Sequence, residues 1–253
     1  MNSEPCTRGN ITEAAAVSIK AVRPNLRVGG RTAYRYSSFF VAVILAASLL
    51  PASTEAGFIT DTLGSAGPSN FAILTLTGGN DIALNGPGTT NGNVGISSGT
   101  LSLNGSAGPE VNGNVSLATG AMISIGNPPQ VTGSVFTNQN LSQANTDARN
   151  ASTTFTNLAP TQNLGAINGT TTINGTTGTN VIDITTLNLG NVQTLTLSGP
   201  PGAQFVIDDT GNFTLNSGKI LLTGGIGVTD VVFNIEASGN AISTSGGLNN
   251  ESH

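Results

Sequence analysis

QFVIDDTGNFTLNSG at residues 204–218 aligns without a gap on VFNIEASGNAISTSG at 232–246, an offset of 28. Phe205/Phe233, Ile207/Ile235, Gly211/Gly239, Asn212/Asn240, Ser217/Ser245 and Gly218/Gly246 are identical between the two. Each copy alternates apolar and polar residues, breaks at a Gly-Asn turn and resumes, which reads as strand, tight turn, strand. A unit this short cannot bury its own Val, Ile and Phe, so each copy needs a neighbour above or below it.

Upstream the same logic runs at a shorter period. NGNV occurs at 91–94 and again at 112–115, an offset of 21, and TGSV at 132–135 follows 20 residues later. From Phe71 to Thr137 the segments FAILTLTGG, DIALNGPG, GNVGISSG, TLSLNG, GNVSLATG, AMISIGNPP and TGSVFT succeed one another. Such a regular beat of short strands closed by Gly, Asn or Pro predicts a sandwich, a barrel or a solenoid. The internal repeats favour the solenoid, with three short strands and three turns in each coil of 20–28 residues. Gly and Asn mark the corners because they tolerate left-handed backbone. Unequal coil lengths make the expected stack irregular.

One segment leaves the β rhythm. In LSQANTDARNASTTFTNLAP the apolar positions are Leu141, Ala144, Ala148, Ala151, Phe155 and Leu158, spaced as a single helical stripe. The spacing predicts a helix over about 141–158, with Asn140 or Ser142 at its start and Pro160 just past its end. Asn and Thr are poor helix formers, so this helix is expected to lie on an apolar flank of the stack.

Composition narrows the chemistry. Charged residues make up 8% of the 253, against roughly 25% in ordinary domains. Six of the eight basic residues fall within the first 35 positions, and from Gly57 onward only Arg149 and Lys219 face ten acids. Two cations cannot neutralise a phosphate backbone, so no nucleic-acid partner is expected. The sole Cys is Cys6, the sole His is His253, and Trp is absent. Past residue 57 the chain therefore has no disulfide, no thiolate nucleophile, no imidazole base before its last residue and no His/Cys metal set.

FFVAVILAASLL at 39–50 follows Arg27, Arg31 and Arg35 and precedes PASTEAG. A charged region, a short apolar run and small residues before a cut read as a secretory signal, with cleavage expected after Ala56. Twelve apolar residues are too few for a membrane span, which needs about 20. Residues 1–56 are set apart as extension and signal peptide, 57–253 as one secreted or cell-surface domain that does not span a membrane.

The order of these parts resembles the ice-binding-protein-like domain family over nearly all of 63–253. The resemblance is carried by LGSAGPSNFAILTLTG at 63–78, by GNVGIS, by the coils of about 20, and, after one helix, by FVIDDTGNFTLNSG and VVFNIEASGNAISTSG. It implies an irregular right-handed β-helix of triangular section with one α-helix packed alongside. The chain departs from the family in reading GISSG at 95–99, where Gly-Val-Ser-Pro-Gly is usual, and in stopping at NNESH, where the family continues for a further strand or two. The expectation is a chain cut short, with the Phe205–Ile207 and Phe233–Ile235 coils lacking a neighbour.

Fold transfers more readily than function, so the residues are weighed for what they can do. Adsorption to ice needs a rigid, flat, weakly polar surface, and stiff Thr side chains on stacked strands supply methyl and hydroxyl groups. In QTLTLSG, Thr194 and Thr196 alternate with Leu195 and Leu197, and in FTLNSG, Thr214 and Asn216 are expected outward. These four are the candidate ice-binding residues, and ice or another extended surface is the expected partner of a monomer. A structural or adhesive module binding glycan or protein is the alternative. A polysaccharide-active enzyme is a remoter one, resting on Asp208 and Glu236 at matching places in the 28-residue repeat. No catalytic residue, cofactor or metal is assigned. GGND at 78–81 is a single half-motif for calcium and is not taken as a site.

Overall fold

The computed structural model describes residues 41–43 and 57–244, apart from 77, 79–80, 86–88, 106–109, 127–129, 191 and 238–241. Apart from one short strand, the stretch expected to be an export signal and its expected cleavage point lie outside the described residues, as do residues 245–253.

The chain is mainly β. Strand β1 (Val41–Val43) and helix α1 (Phe58–Leu63) precede β2 (Ile73–Thr75), β3 (Ile82–Leu84), β4 (Thr90–Asn91), β5 (Val94–Ile96) and β6 (Thr100–Leu103). Then come β7 (Val111–Asn112), β8 (Val115–Leu117), β9 (Met122–Ile125), β10 (Val135–Phe136) and helix α2 (Ser142–Thr156). The second half holds β11 (Gln162–Ile167), β12 (Thr171–Asn174), β13 (Gly178–Leu189), β14 (Thr194–Ser198) and β15 (Ala203–Asp209). It ends with β16 (Phe213–Leu215), β17 (Lys219–Thr223), β18 (Val231–Ile235) and β19 (Ile242–Thr244).

Most strands join one sheet with two arms that meet at β13. The first arm runs β10-β8-β5-β2-β1-β18-β15-β13 and the second β13-β16-β19-β3-β6-β9, with β11 also on β13. Two small sheets, β12-β14-β17 and β4-β7, complete the set. Pairing is parallel except at β1, which runs antiparallel between β2 and β18. The chain thus starts in the middle of the strand order, works out to β9 and β10, crosses by α2, and returns from β11 until β19 pairs with β3.

Alternation decides which side chains go inward. Ile73, Val94, Val115 and Val135 are register partners along the first arm, as are Leu187, Phe213, Ile242, Ile82 and Leu101 along the second. These rows and those of the small sheets form one apolar core, where Phe213 and Phe233 meet edge-on at 5.3 Å. The NGNV and TGSV motifs stack at the spacings read from the sequence, Val94 on Val115 on Val135. Their corners are tied by side chains. The Asn112 amide donates to Asn91 Oδ1 at 3.0 Å and Thr132 Oγ1 donates to Asn112 Oδ1 at 2.9 Å. Gly113 fits because a Cβ there would sit 2.4 Å from the Gly92 carbonyl oxygen.

Helix α2 forms where the stripe predicts. Asn140 Oδ1 accepts from the Ser142 backbone N–H at 3.1 Å, so Asn140 holds the first turn. Leu141, Ala144, Ala148, Ala151 and Phe155 are buried in a second apolar cluster with Ile59, Leu63, Leu74, Val206 and Val232. The helix therefore covers the outer side of the first arm, and Phe58 meets Phe155 edge-on at 6.1 Å.

One expectation changes. The 28-residue alignment is not the stacking register: Phe205 pairs with Val231, 26 residues on, and Phe213 with Ile242, 29 on. Corners of different length take up the difference, and the two-residue slip from 28 to 26 leaves the inward residues of β15 and β18 inward. Phe205, Ile207, Phe233 and Ile235 are all fully buried. They lie mid-order, with β13 against β15 and with β1, which falls inside the expected signal, against β18.

Candidate functional site

The four sequence candidates divide between two sheets. Thr194 and Thr196 lie on β14, half-exposed and alternating with the buried Leu195 and Leu197. In register, Thr172, Thr196 and Leu221 form one row, and Asn174, Ser198 and Thr223 the next. Thr194 pairs with Lys219, and its backbone N–H donates to Thr170 Oγ1 at 3.3 Å. This is a hydroxyl-rich patch three strands wide, interrupted by one Leu and one Lys.

Thr214 belongs to β16, in the second arm. Its register partners continue much further. Asn188, Thr214, Ser243, Ala83, Ser102 and Ser124 form an unbroken row over β13, β16, β19, β3, β6 and β9. Asn188 and Ser124 are exposed and the other four half-buried, none is charged, and none is larger than Asn. Strands lie ~4.8 Å apart, so six of them place a hydroxyl, amide or methyl group at each step over ~24 Å. Asn216, Asn85 and Asn104 sit where β16, β3 and β6 leave this face, and the Asn104 amide donates to Asn85 Oδ1 at 3.1 Å. Sequence reasoning found Thr214 and Asn216 but missed Ser243, Ala83, Ser102 and Ser124. The alternation of DIALN and TLSLN carried that signal, yet only the closure of β19 on β3 joins the two halves of the row.

The third surface, the outer side of the first arm, is occupied by α2. Where β13, β15 and β18 pass under the end of that helix, Asp183, Asp208 and Asn234 are register partners. Asp208 and Asn234 are buried, and the Asn234 amide donates to Asp208 Oδ1 at 2.5 Å. Glu236 accepts from Thr156 Oγ1 at 2.8 Å. Burial, reinforced by the charge of Glu236, pushes the Asp208 carboxyl up to about 6. Burial likewise raises Asp209 to about 6, although its Oδ1 accepts from the Gly211 N–H at 3.0 Å. The stacked pair that the enzyme alternative needs is not formed, because the 26-residue register sets Asp208 on Asn234 and carries Glu236 past it.

Among the described residues, no group of three or more His, Cys, Asp or Glu is placed to hold a metal ion. Asp81, the acid of the GGND motif, uses Oδ1 to accept from the Thr100 backbone N–H at 2.7 Å, while Gly79 and Asn80 lie outside the described residues. No described helix is long and apolar enough to cross a membrane.

No family model, curated protein or solved structure matches the chain. The functional reading therefore rests on the surfaces themselves and on the sequence resemblance.

Proposed function

We propose that this chain is a secreted, non-enzymatic ice-binding protein that adsorbs to ice through the open side of the second arm. In this reading the paired strands form an irregular right-handed β-solenoid of triangular section, with α2 lying along one side. The observation that carries it is the row Asn188–Thr214–Ser243–Ala83–Ser102–Ser124 on six adjacent parallel strands. Adsorption to a crystal sums many weak contacts, so it rewards an extended, rigid surface over a deep pocket. Small side chains on a hydrogen-bonded ladder lose little entropy on contact, because they have few rotamers to freeze. Hydroxyl and amide groups can hold surface water in place while the methyl groups of Thr and Ala limit its disorder. Thr194 and Thr196 offer the same chemistry over three strands only, so the Thr214 side is assigned the principal role.

The test is uptake into growing ice. Fluorescently labelled protein should be overgrown and concentrated in a polycrystalline ice front, and should suppress recrystallisation at micromolar concentration. Exclusion from the ice by a protein whose circular dichroism shows folded β structure would contradict the proposal. Retention of that folded protein on a glycan or protein surface would then support the adhesive reading.

A further inference from the structure

Two segments of the chain touch in one arm of the sheet and are held apart in the other. Strands β2 and β3 follow one another near the start of the domain, and β18 and β19 near the end of the described residues. In the second arm β19 pairs directly with β3, in register from Ile242 on Ile82 to Thr244 on Leu84. In the first arm β1 lies between β2 and β18, with Ala42 opposite Leu74 on one edge and Asn234 on the other. Paired strands lie ~4.8 Å apart. The same two segments are therefore one strand spacing apart at β19–β3 and two at β18–β2.

Among the described pairings only those of β1 are antiparallel. A parallel neighbour is reached through a long crossover connection, whereas an antiparallel strand stands outside that winding, so β1 fills the gap as an insert. The gap has apolar walls on both faces. Ile73 and Phe233 belong to the inner core, Leu74 and Val232 to the cluster beneath α2, and all four are buried. An extended segment seated between such walls has to be apolar at successive positions, which the alternating Thr and Ser strands are not. Val41, Ala42 and Val43 meet that requirement, and Val is a good strand former. With no strand there, backbone groups of β2 and β18 that face the gap would be buried without partners.

We propose that the gap between β2 and β18 is a strand-binding site for the chain's own apolar run around Val41–Val43, and that the folded chain thereby withholds from a membrane the run that reads as an export signal. The segment is held by backbone pairing on both edges, as peptides are when they add to a sheet. Folding and export then compete for the same residues, so the run has to reach the membrane before β2 and β18 enclose it. A chain cut after Ala56 once it has folded keeps the segment as a bound peptide. This holds whether or not the second arm binds ice.

Hydrogen–deuterium exchange of the full chain, read by mass spectrometry, tests the occupancy. The amides of 41–43 should exchange as slowly as those of β2 and β18. Ala42→Pro, which removes a ladder hydrogen bond from the middle of the strand, should speed exchange in all three. A protease site inserted between Leu50 and Pro51, and cut in the folded chain, gives a readout that needs no substitution in the strand. The amino-terminal fragment should co-elute with the domain in gel filtration and separate only in denaturant. The folded, uncut chain should also stay behind when phosphatidylcholine vesicles are floated through it. Exchange at 41–43 as fast as in the denatured chain, release of the fragment without denaturant, or flotation of the folded chain with the vesicles would overturn the proposal.

Discussion

Asp208, Asp209 and Glu110 are acids in places where a carboxylate is poorly solvated, and they give the protein an unusual response to pH. Burial pushes Asp208 and Asp209 up to about 6 and Glu110 up to about 7, the backbone of Gly105 and Asn104 pulling Glu110 back only in part. The unfolded chain takes up these protons only near ordinary carboxylate values of 3.8 to 4.5. Between those values and 7 the folded state binds more protons than the unfolded one, so stability rises as pH falls through that window. Below it the gain levels off. Asp147, which accepts from the backbone and hydroxyl of Ser65 and is held below its usual range, then begins to act in the opposite sense. The melting temperature should therefore be higher near about pH 5 than near about pH 7.5, with the slope reduced in Asp208→Asn. A melting temperature that drops as the pH is lowered from about 7.5 to about 5 would refute this account of the buried acids. The sequence displayed these carboxylates but not their surroundings, because an Asp between apolar residues reads alike whether its strand faces water or a helix.

Helix α2 is the element most legible in the sequence and the least able to stand alone. Its stripe is unambiguous, and Leu141, Ala144, Ala148, Ala151 and Phe155 are all buried. Most of its other positions are filled by Asn, Ser and Thr, which compete with the backbone for hydrogen bonds, as where Thr153 and Thr154 donate to the carbonyls of Arg149 and Asn150. Its stability comes from docking. A peptide spanning 141–158 should be unfolded in water, and Phe155→Ala in the full chain should cost ~3–5 kcal/mol, read by chemical denaturation. A helical peptide, or a loss below ~1 kcal/mol, would show that the apolar flank is not what holds the helix. Strand phase was equally readable, since ILT, VGI, VSL and VF keep one inward column. The 26-residue register was not, because identities between two copies report common sequence while stacking depends on how many residues each corner consumes.

The order of the layers is the part of the fold hidden from a linear reading. The repeats predict neighbours in space for neighbours in sequence, and that holds within each half. Nothing local indicates that β19 pairs with β3 across 160 residues, or that the two halves share one outward row. That row is what turns scattered Thr and Ser residues into a surface, and it distinguishes two sets that looked equivalent in the sequence. Ser102 is the fifth of its six residues, half-buried between Ala83 and Ser124. A tyrosine at Ser102 would stand proud of the face and hold it off a flat crystal, while a surface change of this kind usually shifts stability by no more than about 0.5 kcal/mol. Thermal hysteresis of the unaltered chain, Ser102→Tyr and Thr196→Tyr at equal concentration is the decisive measurement. The account predicts a freezing gap for the unaltered chain, its loss in Ser102→Tyr and its retention in Thr196→Tyr. An unchanged gap in Ser102→Tyr, or none in a folded unaltered chain, would contradict it.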